Sequence, residues 1–156
     1  MVSFSRIEQE SERASSSSNL DVLSEEECWS VFKTHDLGRL ALLVAGWPRI
    51  FPINYAVGEN ALVFRTEPGA KLAHGPGSAV CFEIDGYDEA TASGWSVMAV
   101  GILYDITGDP GAKRLRELSV QPRAPGKRTH WLALIPDEVS GRSFRGGWAV
   151  PGHYFG

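Results

Sequence analysis

The sequence predicts a mainly β protein, a single domain built as a closed or nearly closed antiparallel barrel with two or three short helices at its ends. Three observations predict it. About six runs rich in Leu, Val, Ile and aromatic residues follow one another in hairpin-like order between Gly, Pro and Asn punctuation. Helical patterns do not alternate with these runs strand by strand, as a parallel doubly wound sheet requires. The longest run carries Gly101 at its centre, where a barrel corner calls for a bulge or a sharp bend.

Residues 1–20 are a polar leader containing Ser15–Ser18 and too little apolar surface to order itself, so a flexible tail is expected there. The folded domain is expected over residues 21–145, with a short tail at 146–156. A helix is predicted near 25–34. Ser24 followed by Glu27 forms a capping box, Leu23 is placed to pack on Cys28, and Val31 and Phe32 complete an apolar stripe. Strands follow at Arg39–Val44 and, after the turn Ala45–Pro48, at Arg49–Val57, where Pro52 marks an edge or a bulge. A hairpin loop at Gly58–Asn60 leads into Ala61–Thr66. One helical turn is expected at Ala70–His74, a strand at Ala79–Asp85, and a polar connection at Gly86–Gly94.

Trp95–Thr107 reads as the longest strand. Both of its faces are apolar, so cover on both sides is expected. Asp109 and Pro110 are a cap and a first residue for a helix near 110–118. A Pro/Gly loop at Gln121–Lys127, a strand at His130–Ile135 and a short strand at Val139–Phe144 finish the domain.

The chain has 156 residues, 43% hydrophobic and 22% charged, with a formal net charge of −4. This is a globular composition without the basic excess that nucleic-acid binding uses. Cys28 and Cys81 lie far apart with no Cys-x-x-Cys, which speaks for reduced thiols in a cytoplasmic setting and against a zinc site. No apolar run is long enough for a secretion signal or a membrane span. No metal site is expected, because the four histidines have no ligand spacing.

The residues that point to chemistry are Arg65, Thr66, Lys71 and Leu72 in the run Phe64–Leu72. A strand ends in a guanidinium and a hydroxyl, Pro68-Gly69 reverses the chain, and an ammonium returns on a helical turn. Arg and Lys brought to one point are a phosphate grip. The same pattern is also that of solvated strand-end cations. Ile50–Tyr55 is unusual for a plain strand. Pro52 removes a ladder donor, Asn54 offers both a donor and an acceptor to a heterocycle, and Phe51 and Tyr55 can wall a ring. The competing reading is an edge strand that meets water. Trp95 is a flat surface with Ser96 as its polar neighbour, and Trp131 is a second such surface.

Taken in order, Gly38–Leu40, Pro52–Tyr55, Phe64–Thr66 with Lys71, Phe82–Asp85, Gly94–Val97 with Gly101, and His130-Trp131 before Ile135-Pro136 resemble the pyridoxamine 5′-phosphate oxidase-like proteins, in particular their small actinobacterial-type branch. The resemblance covers about residues 23–142. It implies an FMN-binding split β-barrel, a homodimer with flavin sites between the subunits, and a flavin-dependent oxidoreductase acting on a small molecule. It also implies that Arg65, Thr66 and Lys71 face the cofactor phosphate, that Ile50–Tyr55 lies along the flavin ring with Asn54 near its polar edge, and that Trp95 and Ser96 border the same site from this subunit or the other. The C-terminal residues do not match the substrate-binding pattern of true pyridoxamine 5′-phosphate oxidases. A non-catalytic protein that binds flavin, a deazaflavin coenzyme or haem is the alternative within the wider group.

Overall fold

Ser24 begins the first helix in the way its sequence predicts. Its hydroxyl accepts from the Glu27 amide at 3.2 Å, and the Glu27 carboxylate accepts from the Ser24 amide at 2.7 Å. Helix α1 then runs Glu25–Lys33 and buries Cys28 and Phe32. The computed structural model describes residues 20–122 and 125–146. The expected tails lie outside the described residues, except that Leu20 opens a strand and Gly146 is described.

Seven strands are observed: β1 Leu20–Leu23, β2 Leu37–Val44, β3 Trp47–Gly58, β4 Ala61–Thr66, β5 Ala79–Asp88, β6 Ser93–Asp105 and β7 His130–Phe144. All pairings are antiparallel. The order β7-β4-β3-β2-β5-β6 closes on itself through β6–β7, giving a six-strand ring, and β1 adds to the outer half of β7. Strand β1 has no alternating apolar pattern. It forms because its backbone completes the ladder of Gly141–Phe144, with Leu23 packed on the barrel core.

Four expectations need correction. The connection expected at 86–94 shrinks to a turn at 89–92, because β5 and β6 extend to Asp88 and Ser93. The polar sequence hid a ladder supported by close packing, since a side chain at Gly86 would meet the Trp95 indole at 2.6 Å. The two final strands are one. Pro136 and Asp137 do not end β7 but form a bulge opposite Gly101, and the register shifts between Val100 and Gly101. The helix expected at 110–118 is a 3-10 turn at Pro110–Ala112 followed by α3, Lys113–Arg116. Asp109 does cap it, accepting from the Gly111 amide at 2.8 Å, but Gly111 and the short run give little to propagate. Finally, β6 is covered on one face only, and Met98 and Tyr104 are exposed on the other. The remaining helix, α2 at Ala70–His74, is the single turn expected.

The barrel is filled by Phe32, Leu40, Tyr55, Phe64, Phe82 and their neighbours. A second, smaller core lies outside it. There Val63 and Ala133, on the outer faces of β4 and β7, pack against Ile106, Ala112 and Val120. Strand β4 is therefore buried on both faces, and Ala61–Phe64 are fully inaccessible. That strand carries Arg65 and Thr66 at its end, on the most firmly enclosed element of the fold.

Candidate functional site at the parting of two strands

Strands β3 and β4 pair from Gly58↔Ala61 to Tyr55↔Phe64 and then separate. Before Tyr55, β3 stays with β2 through Leu37↔Asn54. After Phe64, β4 stays with β7 through Arg65↔Trp131 and Thr66↔His130. The separation is held by the Asp36 carbonyl, which accepts from the Tyr55 amide at 2.9 Å and from Asn54 Nδ2 at 3.0 Å.

A cleft of ≈ 190 Å³ opens where the strands part. One wall is Pro52, Ile53 and Asn54, with Leu37 behind them. The other is Arg65, Thr66, Glu67 and Lys71, and Pro122 and Arg128 close the rim. The structure thus brings together Pro52, Asn54, Arg65, Thr66 and Lys71 from the predicted set. Phe51 stands beside them, with the Lys71 ammonium over its ring at 4.8 Å.

The Arg65 guanidinium is fixed at two points. It lies over the Trp131 ring at 4.9 Å, and its Nη2 donates to the Arg128 carbonyl at 2.7 Å. Its Nε is buried and has no hydrogen-bond partner among the described residues. Thr66 is 1% exposed, and its hydroxyl donates to the Glu67 carbonyl at 3.1 Å.

Other predicted residues lie elsewhere. Tyr55 points into the barrel core, where its hydroxyl donates to the Phe32 carbonyl at 2.7 Å. Burial pushes its pKa upward from 10.0, making the phenol a weaker acid. Leu72 packs against the same core. Ile50 is exposed on the outside of β3. Trp95 packs on the His35 ring at 4.8 Å, and Ser96 is exposed on the outer face of β6. The described chain does not bring these five residues into the cleft.

Glu67 and Arg128 are cleft residues that the sequence did not single out. Glu67 sits inside the Phe64–Leu72 run and was within reach of that argument. Arg128 follows a Pro/Gly loop with no local pattern to mark it. A larger and more open groove of ≈ 510 Å³ lies between α1 and the β3–β4 turn. It sets Glu25, Glu26 and Glu59 against a lone Lys33, the wrong charge balance for a phosphate.

Comparison with known proteins bears on the same fold. Residues 24–143 match the family model described as pyridoxamine 5′-phosphate oxidase. The chain belongs to that family. Among solved structures, this family member is similar to the FAD binding protein from Mycobacterium smegmatis. Identity is 32%, coverage is 80% of this chain and 97% of the other, and the TM-score is 0.67. An FAD-binding protein from Mesorhizobium loti shares the fold at 24% identity, with a TM-score of 0.66 and coverage of 80% and 97%. An uncharacterized Mycobacterium tuberculosis protein is 36% identical over 92 residues, 58% of this chain and 82% of its own length. The architecture is accordingly a split barrel, and the cleft lies where β3 parts from β4.

Proposed function

We propose that this family member binds a flavin nucleotide with a phosphate in the β3–β4 cleft, works as a homodimer, and uses the flavin as an oxidoreductase on a small molecule. The observation that carries the reading is the convergence of Arg65 and Lys71, from either side of the Pro68-Gly69 turn, on one cleft. The FAD-binding protein at 32% identity adds weight to a flavin as the ligand.

The donor set fits such a group. Arg65 and Lys71 bring two positive charges to the cleft, matching the roughly −2 of a phosphate monoester at neutral pH. The buried Arg65 Nε has no acceptor among the described residues, and a buried donor left in that state costs roughly 1–3 kcal/mol. An anion drawn onto the guanidinium supplies what the chain does not. When bound, the flavin supplies hydride or electron transfer. The chain's part is to hold the phosphate through Arg65 and Lys71 and to keep the cleft open through Asn54 and Asp36.

Two observations support a second subunit. The cleft is small beside the roughly 300–1,000 Å³ of ordinary ligand sites, so one chain encloses only part of the cofactor. On the outer face of β2, β5 and β6, exposed Leu43 joins Ala41, Pro48, Ala79 and Val100 around an open apolar hollow, beside the Arg39–Glu83 ion pair. Contiguous apolar surface of this kind marks an association face.

The test is the absorbance spectrum and mass of the ligand released from purified protein. Titration with FMN, FAD, a deazaflavin coenzyme and haem follows, and then reduction by NAD(P)H. A bound flavin, with affinity at least about tenfold weaker in Lys71→Ala, is the expected result. Unchanged flavin affinity in Arg65→Ala/Lys71→Ala overturns the phosphate assignment. Binding without reduction by any donor replaces the oxidoreductase reading with a carrier.

A further inference from the structure

The two cations of the cleft share an arrangement that the sequence did not foretell. Each rests on the face of an aromatic ring from a neighbouring strand. Arg65 lies over Trp131 at 4.9 Å and Lys71 over Phe51 at 4.8 Å. Both distances are inside the roughly 6 Å within which a ring quadrupole attracts a cation. Phe51 lies on β3, one of the two strands that part at the cleft, and Trp131 lies on β7, opposite Arg65 in the ladder that β4 keeps.

Trp131 is itself fastened. Its amide donates to Thr107 Oγ1 at 3.0 Å, that hydroxyl donates to Asp105 Oδ1 at 2.6 Å, and its carbonyl accepts from the Ile106 amide at 2.9 Å. Its ring packs on the outer core. The indole is thus anchored by backbone and packing before any ligand arrives. A long cationic side chain loses on the order of 0.5–1.5 kcal/mol of rotamer freedom when a ligand immobilises it. A ring that has already fixed the side chain removes much of that loss.

We infer that Trp131 and Phe51 are positioning residues of the anion site, Trp131 holding Arg65 and Phe51 holding Lys71, so that both cations are set for a phosphate in advance. This inference rests on the phosphate reading of the cleft. It gives Phe51 a role exerted through Lys71, in contrast to one of walling a flavin ring.

The test is a set of double-mutant cycles read by FMN titration of the full chain at low salt. Trp131→Leu and Phe51→Leu are each expected to weaken FMN binding roughly 2- to 25-fold. Trp131→Phe and Phe51→Tyr, which keep a ring, are expected to stay within about twofold. In an Arg65→Ala background Trp131→Leu should have no further effect, while Phe51→Leu keeps its full effect. In a Lys71→Ala background the pattern should reverse.

If Trp131→Leu weakens FMN equally with and without Arg65, the residue acts structurally and the inference fails for it. The same holds for Phe51 and Lys71, where an undiminished effect points to direct contact with the flavin. If Arg65→Ala and Lys71→Ala leave FMN binding unchanged, the phosphate reading falls and takes this inference with it. Should Trp131→Leu not fold, the Phe51 arm, on a half-buried side chain, decides the matter alone.

Discussion

Gly101 on β6 lies so close to Ile135 on β7 that a β-carbon on the glycine would stand 2.2 Å from the Ile135 carbonyl oxygen and 2.7 Å from the Pro136 α-carbon. Both obstacles are backbone, so neither can swing aside. The glycine is what lets the bulge at Pro136 and Asp137 close the barrel. Gly101→Ala is expected to lower stability by about 2–3 kcal/mol, a fall in Tm of roughly 4–12 °C. Gly108→Ala, where nothing lies within 4 Å, is the matched control and should leave Tm nearly unchanged. Thermal unfolding of the two variants side by side checks this.

Tyr55 ties the barrel to helix α1 through its bond to the Phe32 carbonyl, and it is 2% exposed. Tyr55→Phe keeps the ring and leaves the Phe32 carbonyl with only the longer bond from the His35 amide at 3.4 Å. A loss of about 1–2 kcal/mol in denaturant unfolding is expected, with the m value unchanged. Flavin affinity should stay within about twofold, because the hydroxyl faces away from the cleft.

The acid limb of the stability curve has two identifiable contributors. Hydrogen bonds from the Ser24 amide and hydroxyl pull the Glu27 carboxyl below 4.5, and those from the Thr107 hydroxyl and amide pull Asp105 below 3.8. A carboxyl lowered in the folded state stabilises above its unfolded value, and that contribution is lost as pH falls through the folded one. Glu83 runs the other way, since burial followed by the charge of Asp85 raises it above 4.5. Its ionised form opposes folding, and the penalty grows as pH rises from the unfolded value through the folded one. Asp105→Asn should therefore flatten the decline in stability below about pH 4. Glu83→Gln should steepen that decline, since Glu83 partly offsets it, and should gain stability at neutral pH less the ion pair to Arg39 at 3.1 Å that it gives up. Urea unfolding midpoints from pH 3 to pH 7 test both.

The charge balance of the cleft sets a salt signature. If Arg65 and Lys71 hold a phosphate, flavin affinity falls as ionic strength rises, and the slope of log affinity against log salt becomes shallower in either alanine variant. Fluorescence titration at four salt concentrations measures it. A slope equal in wild type and both variants would place the phosphate elsewhere.

Local chemistry made much of this fold legible. The Ser24–Glu27 box, the hairpin turn at Glu59-Asn60, the helical turn at Ala70–His74 and the bulge at Gly101 each follow from residues that admit few alternatives. What sequence could not supply was decided by distant partners. Strand β1 exists because Gly141–Phe144 offers it a ladder, and β5 and β6 outrun their apolar pattern because Trp95 packs over Gly86.

The candidate site divides in the same way. Arg65, Thr66 and Lys71 share one short turn, so their meeting was readable from spacing. Tyr55 went to the core because β-strand alternation sends it to the face opposite Asn54. Within the described chain Trp95 packs on His35, since β7 stands between β6 and β4.

The parting of β3 from β4 has a cost that the fold must manage. The Tyr55 amide bonds on the β2 side, to Asp36, so by alternation residues 48, 50, 52 and 54 turn their backbone groups toward the unpaired side. Pro48 and Pro52 hold two of those four places and have no amide to offer. An incoming strand from another molecule would find a broken row of donors there, which is how exposed sheet margins are kept from templating aggregates. The gap that admits a ligand is in this way closed to polymerisation, and replacing both prolines with threonine would leave that margin open to fibre growth.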